Sequence, residues 1–258
     1  MIVDAQVHVW DEGTQEHAAA VLHRALGPDG VLAAMDGAGV GRAVVVPPGR
    51  GPNDFSLSVA AAHPDRFAVM GVIRLDKPSG RELVAGWASR PAGLLGIRLS
   101  FPPWRPSSWL TDGTSDWFWP AAEAAGIPVM VWAPRQIPAV RDIAVRHPGL
   151  RIIVDHMGLY VDVRDDDVAA AVEPVYTMAD LPNVGVKLTA LPCHTSEPYP
   201  FTNLHPHVRR MRDTFGNHRL FWGSDMTRLP VPYSQCVTAF TEQMPFLTAT
   251  DLERIMGR

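Results

Sequence analysis

The stretch Leu220-Phe221-Trp222-Gly223-Ser224-Asp225 is a short apolar run that ends on a carboxylate. An apolar run of this length suits a strand buried on both faces, as in a parallel sheet. A carboxylate at the end of such a strand is costly to bury alone, so a histidine or a metal ion is expected beside it.

Working outward, seven further runs of the same kind precede it. They are Ile2 to His8, Arg42 to Pro47, Phe67 to Leu75, Leu94 to Ser100, Ile127 to Ala133, Arg151 to His156 and Val184 to Leu191. Helical signals fill the gaps between them. Pro28-Asp29-Gly30 stands ahead of Val31-Leu32-Ala33-Ala34-Met35, and Ser115-Asp116 stands ahead of a run from Trp117 to Ala125 that Gly126 closes. Eight alternating βα units in 258 residues, near the ~250 typical of the fold, fit a (β/α)₈ TIM barrel, α/β in class, with residues 1–258 as a single domain. Periodicity alone fits an open doubly wound sheet equally well. The polar residues favour the barrel: Gln6, His8, Arg98, His156, Lys187 and Asp225 all fall late in their strands, where a barrel gathers them at one rim.

A hydrophobic content of 47% can supply a large core, and a net charge of -4 without long runs of either sign argues against nucleic acid or an anionic membrane as partner. The two cysteines, Cys193 and Cys236, have no metal-type spacing and fit a reducing cytoplasm. Met1-Ile2-Val3-Asp4 runs directly into a strand without an export signal, and no apolar run reaches the ~18 residues of a membrane helix, so a cytoplasmic protein is expected. The 24 prolines concentrate after strands, as in Pro47-Pro48, residues Phe101 to Pro106 and Glu197-Pro198-Tyr199-Pro200, and read as stiff loops over the rim. Arg164-Asp165-Asp166-Asp167 reads as a solvated helix start.

Among candidate site residues, Gln6 and His8 lie two apart on the first strand and point the same way. His156 follows Ile152-Ile153-Val154-Asp155 at a strand end and is either catalytic or simply held by Asp155. Arg98 and Lys187 either bind a substrate carboxylate, Arg as a bidentate fork and Lys as a point charge, or neutralise acids inside the barrel. Arg105 is a further clamp or a surface residue. Trp104, Trp109, Trp132, Tyr160 and Tyr199 either wall a pocket for a ring-shaped substrate or pack beneath loops. His194 is a candidate rim acid.

Five ordered segments carry a resemblance. Asp4-Ala5-Gln6-Val7-His8-Val9-Trp10, Gly96-Ile97-Arg98-Leu99, Asp155-His156-Met157-Gly158, Val186-Lys187-Leu188-Thr189 and Trp222-Gly223-Ser224-Asp225 resemble the amidohydrolase superfamily. The likeness is to its amidohydrolase-related branch, which includes 2-pyrone-4,6-dicarboxylate lactonase, sugar lactonases and zinc-dependent decarboxylases. The resemblance implies a barrel hydrolase that opens a lactone or similar cyclic ester of a small, carboxylated molecule. It also implies pairing into a homodimer through outer helices, and further residues beyond Arg258.

Two departures bear on the metal. The family's first strand ends in two histidines flanking one residue, and here the first is Gln6, whose neutral amide is a weak ligand for zinc. The strand that supplies another metal histidine ends Val131-Trp132-Ala133-Pro134. The expectation is therefore a reaction without cofactor: Asp225 takes a proton from the attacking water while His8, His156 and Gln6 stabilise the oxyanion. The alternatives are one zinc or manganese ion held by His8, His156 and Asp225, in an amidase or decarboxylase, and a non-catalytic ligand-binding barrel.

Overall fold

The computed structural model describes residues 1–11, 25–48, 53–103 and 107–257. Eight strands pair in chain order, every neighbouring pair parallel. They are β1 (Ile2–Val7), β2 (Val40–Val45), β3 (Phe67–Val72), β4 (Leu94–Ser100), β5 (Val129–Trp132), β6 (Ile152–Val154), β7 (Val184–Thr189) and β8 (Leu220–Gly223). Each connection carries a helix: α1 (Pro28–Gly37), α2 (Asp54–Ala62), α3 (Pro78–Ala85), α4 (Phe118–Ala124), α5 (Ile137–Arg146), α6 (Asp167–Tyr176) and α7 (His205–Phe215). Helices α8 (Tyr233–Thr241) and α9 (Ala249–Ile255) follow β8. Parallel strands need such crossovers, and the crossovers cover the sheet's outer face, so the expected (β/α)₈ barrel is what forms.

Local chemistry explains several helix starts. Pro28, Pro78, Pro138 and Pro206 sit in the first turn of α1, α3, α5 and α7, where a missing N–H leaves no bond unmade. Thr248 and Asp251 form a reciprocal capping box on α9. The main core joins strand residues such as Val45, Ile97, Val129 and Val186 to helix residues such as Met35, Val140 and Val172. A second, small cluster of Val46, Met70 and Met130 is flanked by Val44 and Ile153.

The barrel is drawn together between its first and last strands by the carboxylate of Asp4. Fully buried, it accepts from the backbone N–H of Gln6 (2.9 Å) and of Ser224 (2.9 Å), from the Ser224 hydroxyl and from Tyr233 Oη (2.7 Å). Burial pushes the Asp4 carboxyl up, against these four hydrogen bonds. The Asp225 N–H adds a bond to the Gln6 carbonyl at 3.0 Å. Close approach at this seam needs a glycine: a Cβ on Gly223 would stand 2.7 Å from Thr189 Cγ2, 2.9 Å from Asp4 Oδ1 and 3.0 Å from Gln6 N. Gly223→Ala is accordingly expected to destabilise the fold by about 1–3 kcal/mol, read from the midpoint of urea unfolding; an unchanged midpoint would refute the tight seam.

The sequence places the strands correctly but runs several of them too far. Helix α4 likewise starts at Phe118 rather than Trp117 and ends before Gly126, which has φ 67°. At the C-terminal ends of β6, β7 and β8 the chain leaves the sheet through left-handed residues: His156 and Met157 (φ 53° each), Ala190 (φ 59°) and Asp225 (φ 50°). Non-glycine residues in this region each cost about 1–3 kcal/mol and persist where surrounding structure fixes them. All four lie at the rim, where the polar groups gather.

Candidate active site

Strand β1 carries an extra residue on its way to the rim: Asp4 pairs with Ala43 and Val7 with Val45, so three steps on β1 run beside two on β2. Such a bulge re-aims the side chains around it. Here Gln6 turns towards β6 and β7, and His8, just past the strand, faces Asp225.

Lys187 sets the orientation of the network. It is 0% exposed on β7, and its Nζ donates to Gln6 Oε1, lies 3.2 Å from Asp155 Oδ1 and 3.4 Å from Met130 Sδ. An ammonium only donates, so the Gln6 carbonyl oxygen must face it and the Gln6 amide NH₂ must face the other way. That NH₂ lies 3.3 Å from His156 Nε2, which therefore accepts. His156 Nδ1 then keeps its proton and donates to Thr189 Oγ1 at 2.7 Å. The neutral ring this requires agrees with its burial, which, opposed by Asp225 and Asp155, pushes the His156 imidazole down to about 3. The sequence suggested Asp155 as the group that holds His156. Instead Thr189 holds it, because Asp155 is taken by Lys187 and by Arg98 Nε at 3.0 Å. Burial acts to raise the Asp155 carboxyl, but these two cations outweigh it and hold it low.

Asp225 is 1% exposed, on its left-handed residue past β8. Its Oδ1 lies 3.1 Å from His8 Nε2 without the alignment of a hydrogen bond and is otherwise unpartnered, and its Oδ2 lies 3.5 Å from Arg228 Nη1 and 3.9 Å from His156 Nε2. Burial acts to raise this carboxyl, yet His8, His156 and Arg228 together hold it well below the usual carboxylate range. His8 Nδ1 donates to the Val46 carbonyl at 2.7 Å, so its Nε2 carries a proton only as imidazolium, for which Asp225 is the natural counter-ion.

Trp132 and Tyr160 form one wall. They stack at 6.4 Å and 13°, Trp132 stands edge-on to His156 at 6.2 Å, and Arg98 lies over the Trp132 ring at 5.6 Å. The site thus brings together Gln6, His8, Arg98, Trp132, His156, Tyr160, Lys187 and Asp225. It leaves Tyr199 bonded to Thr238 at 3.1 Å and Trp109 packed on the main core. Arg105 and Trp104 lie outside the described residues.

Sequence reasoning missed Thr189 and Arg228. Thr189 lies two residues beyond Lys187, hence on the same side of β7, and Arg228 lies three beyond Asp225 in one loop. Those spacings were the available signal.

Two buried neutral histidines give the site a pH dependence. His194 is 0% exposed, its Nδ1 donates to the Val163 carbonyl at 2.8 Å, and burial, opposed by that bond, pushes it down to about 4. Unfolding frees both rings to take up protons below about pH 6.5, so the unfolded state binds more protons and stability falls as pH drops from there towards 4 and 3. The limiting slope is about 1.4 kcal/mol per pH unit for each ring. Guanidinium unfolding at pH 7 and pH 5 is expected to show the loss, and His194→Gln to reduce it; a flat profile would refute it.

Comparison with known proteins places the chain. A family model described as Amidohydrolase matches residues 3–258. An L-fucono-1,5-lactonase from Burkholderia ambifaria is 28% identical over 234 residues, covering 86% of this chain and 79% of that protein. An amidohydrolase from Burkholderia multivorans, solved with bound zinc, superposes with TM-score 0.80 at 23% identity over 100% of this chain and 96% of that one. A probable 2-pyrone-4,6-dicarboxylic acid hydrolase from Acinetobacter baumannii, solved with citric acid, superposes with TM-score 0.76 at 18% identity over 99% and 96%. With a family match over nearly its whole length, and with the five ordered segments converging on one rim, this chain belongs to the amidohydrolase family and is a hydrolase.

Proposed function

We propose that the enzyme opens a lactone or comparable cyclic ester by Asp225-assisted attack of water, without a metal ion. The observation that carries this reading is Asp225 Oδ1: a buried carboxylate oxygen with no aligned hydrogen bond, 3.1 Å from His8 Nε2. Water attacks the ester carbonyl carbon and passes a proton to Oδ1. His8 Nε2–H and the Gln6 amide NH₂ face the oxyanion that forms. Collapse breaks the ring C–O bond, and the proton on Asp225 passes to the leaving alkoxide, giving a hydroxy acid. The ion pairs of Asp225 oppose its protonation in the free enzyme, and that opposition falls once His8 turns its Nε2–H to the substrate oxygen. His156, with no proton at Nε2, orients Gln6 rather than donating to the oxyanion, and Lys187 orients Gln6 from below.

The donor chemistry does not favour a metal ion among His8, His156 and Asp225. The His156 lone pair receives the Gln6 amide, the Gln6 oxygen receives Lys187, and a buried ammonium beside the site repels a dication. Among the described residues, no three His, Cys, Asp or Glu side chains are grouped to hold one. Arg98 and Lys187 share Asp155, and Arg228 shares Asp225 with His8, so the described rim holds more cationic groups than carboxylates and suits a lactone that carries a carboxylate.

The test is a screen of sugar lactones and carboxylated lactones on protein assayed for metal content, with and without chelator. Ring opening of a lactone, undiminished after complete chelation, is the expected outcome. Activity that vanishes on chelation and returns with zinc or manganese would overturn the metal-free reading, and turnover of amides or aromatic acids but no lactone would overturn the substrate class.

A further inference from the structure

The interior of a (β/α)₈ barrel is ordinarily filled by layers of side chains. Here the end opposite the catalytic rim holds a cavity of about 410 Å³. Val44, Ile153 and Phe221, on β2, β6 and β8, line it and are only half-buried although they belong to the barrel strands. Gly185 also lines it; a Cβ there would stand 2.9 Å from the Phe221 ring, so its lack of a side chain leaves that ring its place. The two ends of the cavity differ in chemistry. At the mouth lie Arg151 and His218, both exposed, beside Leu95, which is 46% exposed and among the most exposed large apolar side chains described. At the inner end lie Met130 and Lys187. From Val184 at the mouth to Lys187 is three residues of β7, a depth of about 10 Å.

We infer that this cavity is a second binding site, for a small amphiphilic anion whose apolar tail enters the barrel floor and whose carboxylate stays at the mouth with Arg151 and His218. Its size falls within the ~300–1,000 Å³ usual for small-molecule sites. An apolar tail displaces water from Val44, Ile153, Phe221 and Met130, a gain that scales with the area covered. A guanidinium and an imidazole at the entrance select an anionic head over a neutral one. The inner wall is also the underside of the catalytic network, because Met130 Sδ and Lys187 Nζ are 3.4 Å apart and Lys187 in turn holds Gln6.

Calorimetric titration with octanoate tests the inference by reading binding alone, so its outcome is independent of whether the rim opens lactones. Saturable binding of one octanoate per chain is expected, with 1-octanol at least tenfold weaker and Arg151→Gln reducing octanoate affinity at least tenfold. Ile153→Phe and Val44→Phe each fill the cavity and are expected to abolish binding. Circular dichroism identifies which of the two stays folded, and that variant is the one titrated. Absence of saturable octanoate binding, equal affinity for octanol, or undiminished binding by the folded filled variant would each overturn the inference.

Discussion

Asp225→Asn is expected to lower kcat/KM for the lactone substrate by at least about 10³-fold while leaving the barrel folded. The substitution keeps the shape of the side chain and removes its charge. An amide oxygen cannot take the proton of the attacking water, and His8 loses the counter-ion at 3.1 Å. The left-handed backbone at this position tolerates Asn better than most residues, so a loss of fold is not the expected route to inactivity. The measurement is steady-state kinetics on protein whose circular dichroism matches the parent. Turnover within a few-fold of the parent would remove Asp225 from the chemistry.

The second large effect is expected at Lys187. Lys187→Met has a similar length and no charge, and it leaves Asp155 with Arg98 as its remaining close cation. Removing one partner of a buried ion pair costs about 3–5 kcal/mol, because the other charge stays buried. For a chain of this size that is a fall in Tm on the order of 10 °C. Substituting Asp155→Asn in the same chain is expected to recover part of the loss, so that the double variant is more stable than the sum of the singles implies. Additive losses would show that the two groups do not act as a pair. Turnover should fall as well, since without the ammonium nothing forces the Gln6 amide to face His156.

The eight strands were legible because buried parallel strands are short, apolar and separated by helix-length intervals, and the match at Leu94–Ser100 is complete. Their ends were not legible at β6, β7 and β8. The apolar pattern continues smoothly into Asp155-His156 and Ser224-Asp225, whereas the backbone turns left-handed there, a conformation that composition does not announce for non-glycine residues. The resemblance to amidohydrolases is borne out by the family match, and the hydrolase class with it. Which residues sit at the rim could be read from their late position in the strands. Which of them bond to one another could not. The two readings left open for Lys187, substrate contact or internal neutralisation, separate only once Asp155 is seen 3.2 Å away and the side chain is seen to be wholly buried. Likewise, the register shift in β1 between Asp4 and Val7 leaves no mark in Asp4-Ala5-Gln6-Val7-His8 that a period-two reading would detect.

The Lys187–Gln6 bond also constrains how this rim can change. Gln6→His taken alone would replace the carbonyl oxygen that receives the buried ammonium by an imidazole, which can accept only through one nitrogen and only while neutral, so the single step towards the two-histidine first strand is expected to be destabilising. Positions 6 and 187 are therefore expected to vary together rather than one at a time, an exchange of the amide for imidazole going with a change in the lysine's surroundings.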